Sequence, residues 1–479
     1  MPSHTDSAGW AANEVDASFR PVALLLVTKA VLWLVAGSLL TLLASIKLHG
    51  PSMMSGSAWL TYGRVLPAGW TALVFGFAGQ AGTLLGLWTL ARAAGQRLQA
   101  PGLVLAGGVL WNLGVLAGVV GILAGFSTGR EGLEMPSGAL ALLTVGAALT
   151  GVAGWKTYSA RTTARVFPSA WFVLLGLIAF VWFASAALAM LGGADVRGSI
   201  QLLIQRWAGN GLQRIWLGGL ALGLILFALP RAAQKPLASR ELTLISFWSL
   251  VFFTPWAVTL PGDPLPRWVV SFGVAGHTLA AIGVLAAAIN FWKTGEGAVA
   301  RLFSTSAGRL VTGAAVAYVV AGTLQYLVSL RVVASVVRFT WLPVGIDWAL
   351  VGGGAIWVVL SVLPEFVERA TGRRLNPGLL NLNATLSLVG VGVVVLSLIL
   401  AGVIQGMSLS NPGKAYMDTV KGSMHGVRLS SLGFLLFFLG QLPLLAAVVG
   451  GLTAVARDAV GAVKSWGLAP TGKGMGARS

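Results

Sequence analysis

With 479 residues, 56% of them hydrophobic, only 10% charged and a mean hydropathy of +0.83, the chain cannot be a soluble globule and reads as a polytopic membrane protein. The absence of cysteine excludes disulfides, iron-sulfur clusters, covalent c-type haem and thiolate copper sites, which leaves methionine and the four histidines His4, His49, His277 and His425, far apart in sequence, as candidate metal ligands. The net charge of +18 is spread over short loops between apolar runs, a pattern that fits a membrane surface and not nucleic acid.

The first twenty residues are polar and mixed in charge, with no short apolar region before a small-residue cleavage site, so no cleaved leader is expected. Apolar runs long enough to span follow at residues 22–46, 66–91, 101–125, 137–157, 168–193, 209–230, 242–261, 267–292, 309–335, 340–364, 379–404 and 430–456, about twelve helices. Short loops between them predict one all-α helical bundle: an N-terminal tail over 1–21, a membrane domain over 22–456 and a basic, mobile tail over 457–479. The 64 glycines, as in GGVLWNLGVLAGVVGILAG from Gly107, suit close helix packing where apolar burial no longer drives association, and no phosphate-binding loop is present. About 20 of the Lys and Arg residues fall on the face shared by the termini and about 12 on the other, which predicts both termini in the cytoplasm. The tenth run, RFTWLPVGIDWALVGGGAIWVVLSVLP from Arg338, is interrupted by Gly345, Asp347 and Trp348, and a charge at such depth needs a reason.

Several blocks, in order along the chain, resemble subunit I of the haem-copper oxidases, most of all the cbb3-type cytochrome c oxidases. TYGRVLPAGWTALVFGFAGQAG from Thr61 is similar to the family's second helix. GFSTGREGLEMP from Gly125 resembles its Thr-Gly-Lys-Glu loop, and QRWAGNGL from Gln205 its copper-binding turn. ISFWSLVFF and LPRWVVSFG resemble the seventh and eighth helices, Asn290 falls on a family Asn, and GVIQG from Gly402 matches the eleventh helix. The resemblance implies a twelve-helix bundle and, in the family, haem b, haem b3, copper B and calcium.

Carried across residue by residue, the family's low-spin haem ligands fall on Gly69 and Trp348, and the axial ligand of the oxygen-binding haem on Ile346. The copper histidines fall on Asn210 and near Leu260 and Pro261, and the active-site tyrosine on Thr254. Glycine and isoleucine offer no donor atom, the indole N–H has no lone pair to give, and Asn, Leu and Pro cannot replace three imidazoles at copper. No catalytic, haem-binding or metal-binding residue is therefore expected, and no bound cofactor.

Trp341 and Trp348 are candidate fillers of an emptied haem cavity, since voids are costly in proportion to volume. Asp347 is a possible buried charge, with Arg206, Arg214 or Arg338 as partner. Glu131 and Glu134 match the loop that in the family lies by the haem propionates with bound calcium; without haem they read as a solvated turn. His277 reads as a helix residue hydrogen-bonded to a neighbour, and His425 as a loop residue before the twelfth helix. The expected function is that of a non-catalytic relative of the oxidase subunit, a scaffold in a respiratory complex of the bacterial inner membrane, with c-type cytochrome subunits or a haem-bearing paralogue as partners. The alternatives are a working terminal oxidase, which needs ligands that are absent from the family positions, and a transporter that reuses the vacated cavity.

Overall fold

The computed structural model describes residues 11–192 and 196–467. His4, residues 1–10 of the expected N-terminal tail and residues 468–479 of the expected C-terminal tail lie outside the described residues.

Eleven helices among them are long and apolar enough to span: α1 (Arg20–His49), α2 (Tyr62–Ala94), α3 (Pro101–Ala124), α4 (Ser137–Ser159), α5 (Ser169–Gly192), α6 (Gly198–Ala233), α8 (Arg267–Gly295), α9 (Ser306–Ser329), α10 (Leu342–Thr371), α11 (Pro377–Leu409) and α12 (Tyr416–Thr453). The seventh expected run, 242–261, is only in part helical. Here α7 (Arg240–Phe252) is 13 residues long and is followed by a single 3₁₀ turn, Thr254–Trp256. At 1.5 Å per residue α7 reaches about 20 Å, short of the ~30 Å hydrocarbon layer. Pro255 and Pro261 lack the N–H that would continue the helix, and irregular backbone at such depth is tolerated where it lines a cavity inside the protein.

Nine helices form a ring around three. The exposed apolar faces of α1, α3, α4, α5, α8, α9, α11 and α12 leave each 33–50% buried, whereas α2, α6 and α10 are 94%, 78% and 94% buried. The ring closes through α11, α12 and α1, then α3, α4 and α5, then α7, α8 and α9. Trp33 on α1 donates to Asn112 on α3, Phe172 on α5 meets Phe247 on α7 at 5.2 Å, and Arg309 on α9 donates to Asn381 on α11. Each inner helix contains one π-helical stretch: Ala72–Gly79 in α2, Gly211–Leu217 in α6 and Ala349–Ile356 in α10. These wide turns meet at the bundle centre, where Phe75 stacks on Trp216 at 5.8 Å.

At the end of the bundle that bears the N-terminus, a short helix, Ala12–Ser18, lies outside the expected start of the membrane domain and docks against it. Val15, Asp16 and Phe19 are buried there, and Asp16 accepts from the Trp88 indole at 2.8 Å and pairs with Arg92 at 3.3 Å. The last helix continues from Tyr416 to Gly467, so residues 457–467 extend it where a mobile tail was expected.

Candidate functional site

The positions to which the resemblance carries the family's haem and copper ligands fall in two neighbouring regions that differ. On the low-spin side Trp348, near the start of α10, is 3% exposed. Its ring lies edge-on to Trp70 of α2 at 5.4 Å, to Phe434 at 4.8 Å and to Phe437 at 6.3 Å, both of α12. Gly69 faces α1 so closely that an added Cβ would sit 3.0 Å from the Thr41 backbone N and from Leu40 Cβ. Any side chain at 69 would have to push α1 away. Ile346 is buried at 1% exposure, and Trp341 is half-buried, its backbone N–H donating to Gln405 at 3.2 Å.

On the other side, Asn210 and Leu260 come together on the wall of a cavity of about 370 Å³. Asn210 Nδ2 donates to the Thr254 carbonyl at 2.8 Å, which brings together the residues expected at the first copper position and at the tyrosine position. The 253–266 segment that carries Leu260 and Pro261 is fixed by Asp263, a residue the sequence reading did not single out. Its side chain is fully buried, accepts from the Leu260 N–H at 2.7 Å, and pairs with both Arg206 and Arg338. Arg338 also donates to the Pro261 carbonyl at 2.6 Å. Gly262 turns the chain with φ +91° and lies against the Arg338 guanidinium, so both the turn and the contact favour glycine there. The available signal was an acid in a Pro-Gly-Asp-Pro turn, with no other carboxylate in the loop.

Asp347 lines the same cavity, and its side chain is 36% exposed to it. It accepts from Gln213 Nε2 at 3.0 Å and lies 3.9 Å from Arg214 Nη2, whose shorter contact is with Gln325 Oε1 at 2.7 Å. Of the three expected partners, Arg214 alone is beside Asp347; Arg206 and Arg338 are held by Asp263. The charge sits in a polar, roomy site rather than sealed in the core, which is why it needs no close ion pair.

Glu131 lines this cavity, but Glu134 turns back into its own loop and accepts from the Gly132 N–H at 3.0 Å. Burial holds the Glu134 carboxyl above the usual range for a glutamate; Glu131 is exposed, as a solvated turn requires, while Glu134 is half-buried. His277 is 4% exposed, and its Nε2 has no hydrogen-bond partner, contrary to the expected neighbour contact. His425 lies inside α12 and not in a loop, since that helix starts at Tyr416. His49 Nε2 lies 3.0 Å from Ser431 Oγ.

Haem and copper do not fit the residues present. Gly69, Ile346 and Trp348 supply no donor for iron, and the indole of Trp348 stands among three other aromatic rings where a macrocycle would need space. At the copper positions Asn210 offers only a neutral amide oxygen, its Nδ2 donating to the Thr254 carbonyl, and Leu260 and Pro261 offer only backbone, which does not replace three imidazoles. Calcium takes six to eight oxygen ligands, and no three His, Asp or Glu side chains among the described residues are grouped to hold a metal.

The family described as cytochrome c and quinol oxidase polypeptide I matches residues 21–436, and the chain belongs to that family. It is 23% identical over 434 residues to the cbb3-type cytochrome c oxidase subunit CcoN1 of Stutzerimonas stutzeri, covering 86% of this chain and 90% of that one. It is also 23% identical over 445 residues to a cytochrome c oxidase subunit 1 homolog of Bradyrhizobium diazoefficiens, covering 86% and 78%. A chain of a haem-copper terminal oxidase dimer solved by cryo-electron microscopy superposes with a TM-score of 0.67 at 14% identity, over 94% of this chain and 85% of that one.

Proposed function

We propose that the protein is a non-catalytic relative of the cbb3-type oxidase subunit I, serving as a membrane subunit or scaffold of a respiratory electron-transfer complex. The observation that carries this reading is the low-spin site, where Trp348, Trp70, Phe434 and Phe437 pack together at ring distances of 4.8–6.3 Å while Gly69 is pressed against α1. A haem site left open would cost stability in proportion to its volume, and the packed rings support the reading that side chains take its place. The proposed partners are membrane subunits, among them c-type cytochrome subunits or a haem-bearing paralogue, and the proposed location is the bacterial inner membrane with both termini cytoplasmic. The test is an absorption spectrum, oxidised and reduced, of the purified chain. No Soret band and no oxygen consumption are expected with any electron donor; a stoichiometric haem b spectrum would overturn the reading and restore that of a terminal oxidase.

A second reading, a carrier that reuses the vacated space, draws support from the ~370 Å³ cavity and its polar wall of Asp347, Arg214, Gln213 and Gln325. Solute uptake into proteoliposomes that vanishes in Asp347→Ala would favour it over the scaffold.

A further inference from the structure

The ends of α2 and α6 on the N-terminal side of the bundle, with Phe167 just ahead of α5, line a second, open pocket of about 580 Å³ that shares no residue with the 370 Å³ cavity. Its polar wall is cationic, made by Arg92, Arg231 and Lys235, and its apolar wall carries Phe167, Phe227 and Leu237. Arg92 and Arg231 belong to a cluster in which Arg92, Arg231 and Arg369 share just two carboxylates, Asp16 and Glu365. Lys235 donates to the backbone carbonyl of Glu296. With Lys235 the group holds four cations against two anions, a surplus of two positive charges beside an apolar wall. One nitrogen of this group is left over: Arg92 Nη1 is buried, has no hydrogen bond, and comes no closer than 3.9 Å to Glu365. Arg231 lies over the Phe227 ring at 4.7 Å, which holds its guanidinium at the junction of the two walls.

Basic pockets between helix ends at the headgroup level are where anionic lipid phosphates bind, because phosphate oxygens satisfy guanidinium and ammonium donors while the glycerol and acyl carbons lie on apolar surface. From this arrangement we infer that the pocket formed by Arg92, Arg231 and Lys235 holds the phosphodiester headgroup of an anionic phospholipid. A lipid with two phosphodiesters matches the surplus of two charges. The site is independent of the function proposed above, since it shares no residue with the oxidase-like centre.

The test uses the full chain purified in detergent, with retained lipid read by native mass spectrometry during titration with tetraoleoyl cardiolipin, dioleoyl phosphatidylcholine or inorganic phosphate. Cardiolipin is expected to bind one to one in preference to phosphatidylcholine. The double variant Arg231→Gln/Lys235→Gln is expected to weaken it by roughly thirtyfold, from two basic contacts near the headgroup. The charge-keeping variant Arg231→Lys/Lys235→Arg should retain binding, which separates loss of charge from loss of fold. Lys293→Gln/Arg301→Gln, outside the pocket, should leave binding unchanged. Equal cardiolipin retention by the Gln double variant, an equal loss in the control variant, or displacement of the lipid by millimolar inorganic phosphate would each overturn the assignment.

Discussion

The two halves of the oxidase-like centre are held by different physics. Around Trp348 aromatic rings from α2, α10 and α12 pack to contact distance, with Trp70 at the border of the larger cavity. Around Asn210 and Asp347 lies an open space of about 370 Å³ with a mixed polar and apolar wall, roomy enough to admit water. The first half rests on packing, so its stability is spread over the rings that line it. The second rests on a frame, the Asp263 carboxylate and the two arginines it holds, and the residues that merely line the space carry little load.

The largest break is expected at the frame. Asp263→Ala leaves Arg206 and Arg338 without their shared carboxylate and the Leu260 N–H without an acceptor, at a cost of about 4–5 kcal/mol, read as a fall in the detergent melting temperature. Trp348→Ala should cost about 3–5 kcal/mol through the void it opens, and a small aromatic ligand added to the variant should recover part of it. A melting shift near zero would show that the packed half is not supported by that ring. Asn210→Ala removes the bond to the Thr254 carbonyl beside a space that admits water, so about 1–2 kcal/mol is expected. Asp347→Asn, which keeps an oxygen for Gln213 and faces the cavity, should change stability by less than ~1 kcal/mol. A loss as large as that of Asp263→Ala would erase the distinction between frame and lining. The smallest effect is at Glu134. Its folded pKa lies above its ordinary 4.5, so the protonated form is favoured in the folded state; that contribution is full below pH 4.5 and is lost as pH rises through the folded value. Glu134→Gln should flatten this part of the melting-versus-pH curve.

Most of the bundle was legible because a membrane span announces itself by length and hydropathy, and eleven of the twelve expected runs are full helices. The seventh misled because hydropathy does not register that Pro255 and Pro261 end a helix inside an apolar run. Which helices form the inner three was not legible. In lipid the outward faces are as apolar as the inward ones, so the amphipathic stripe that separates surface from core in a soluble helix is absent. The ordered blocks that resemble the oxidases led to the right family. The place of Asp347 followed from its charge, and Arg214 was among its expected partners, but nothing local told the three candidates apart. Asp263 was passed over because its importance comes from Arg206 and Arg338, which lie 57 and 75 residues away.

The wide turns in α2, α6 and α10 make helix phase a quantity stored in the chain. Each residue of an α-helix rotates the next by about 100°, so one residue more or fewer turns everything beyond it by that angle. In α2 the turn at Ala72–Gly79 separates Trp70, which meets Trp348, from Trp88 and Arg92, which hold Asp16 at the opposite end of the bundle. Both anchorages are in phase only with the extra residue counted. Excising a single residue from ALVFGFAG would tighten the turn and leave α2 able to satisfy one end or the other, much as a key with one notch removed aligns with only half of its lock.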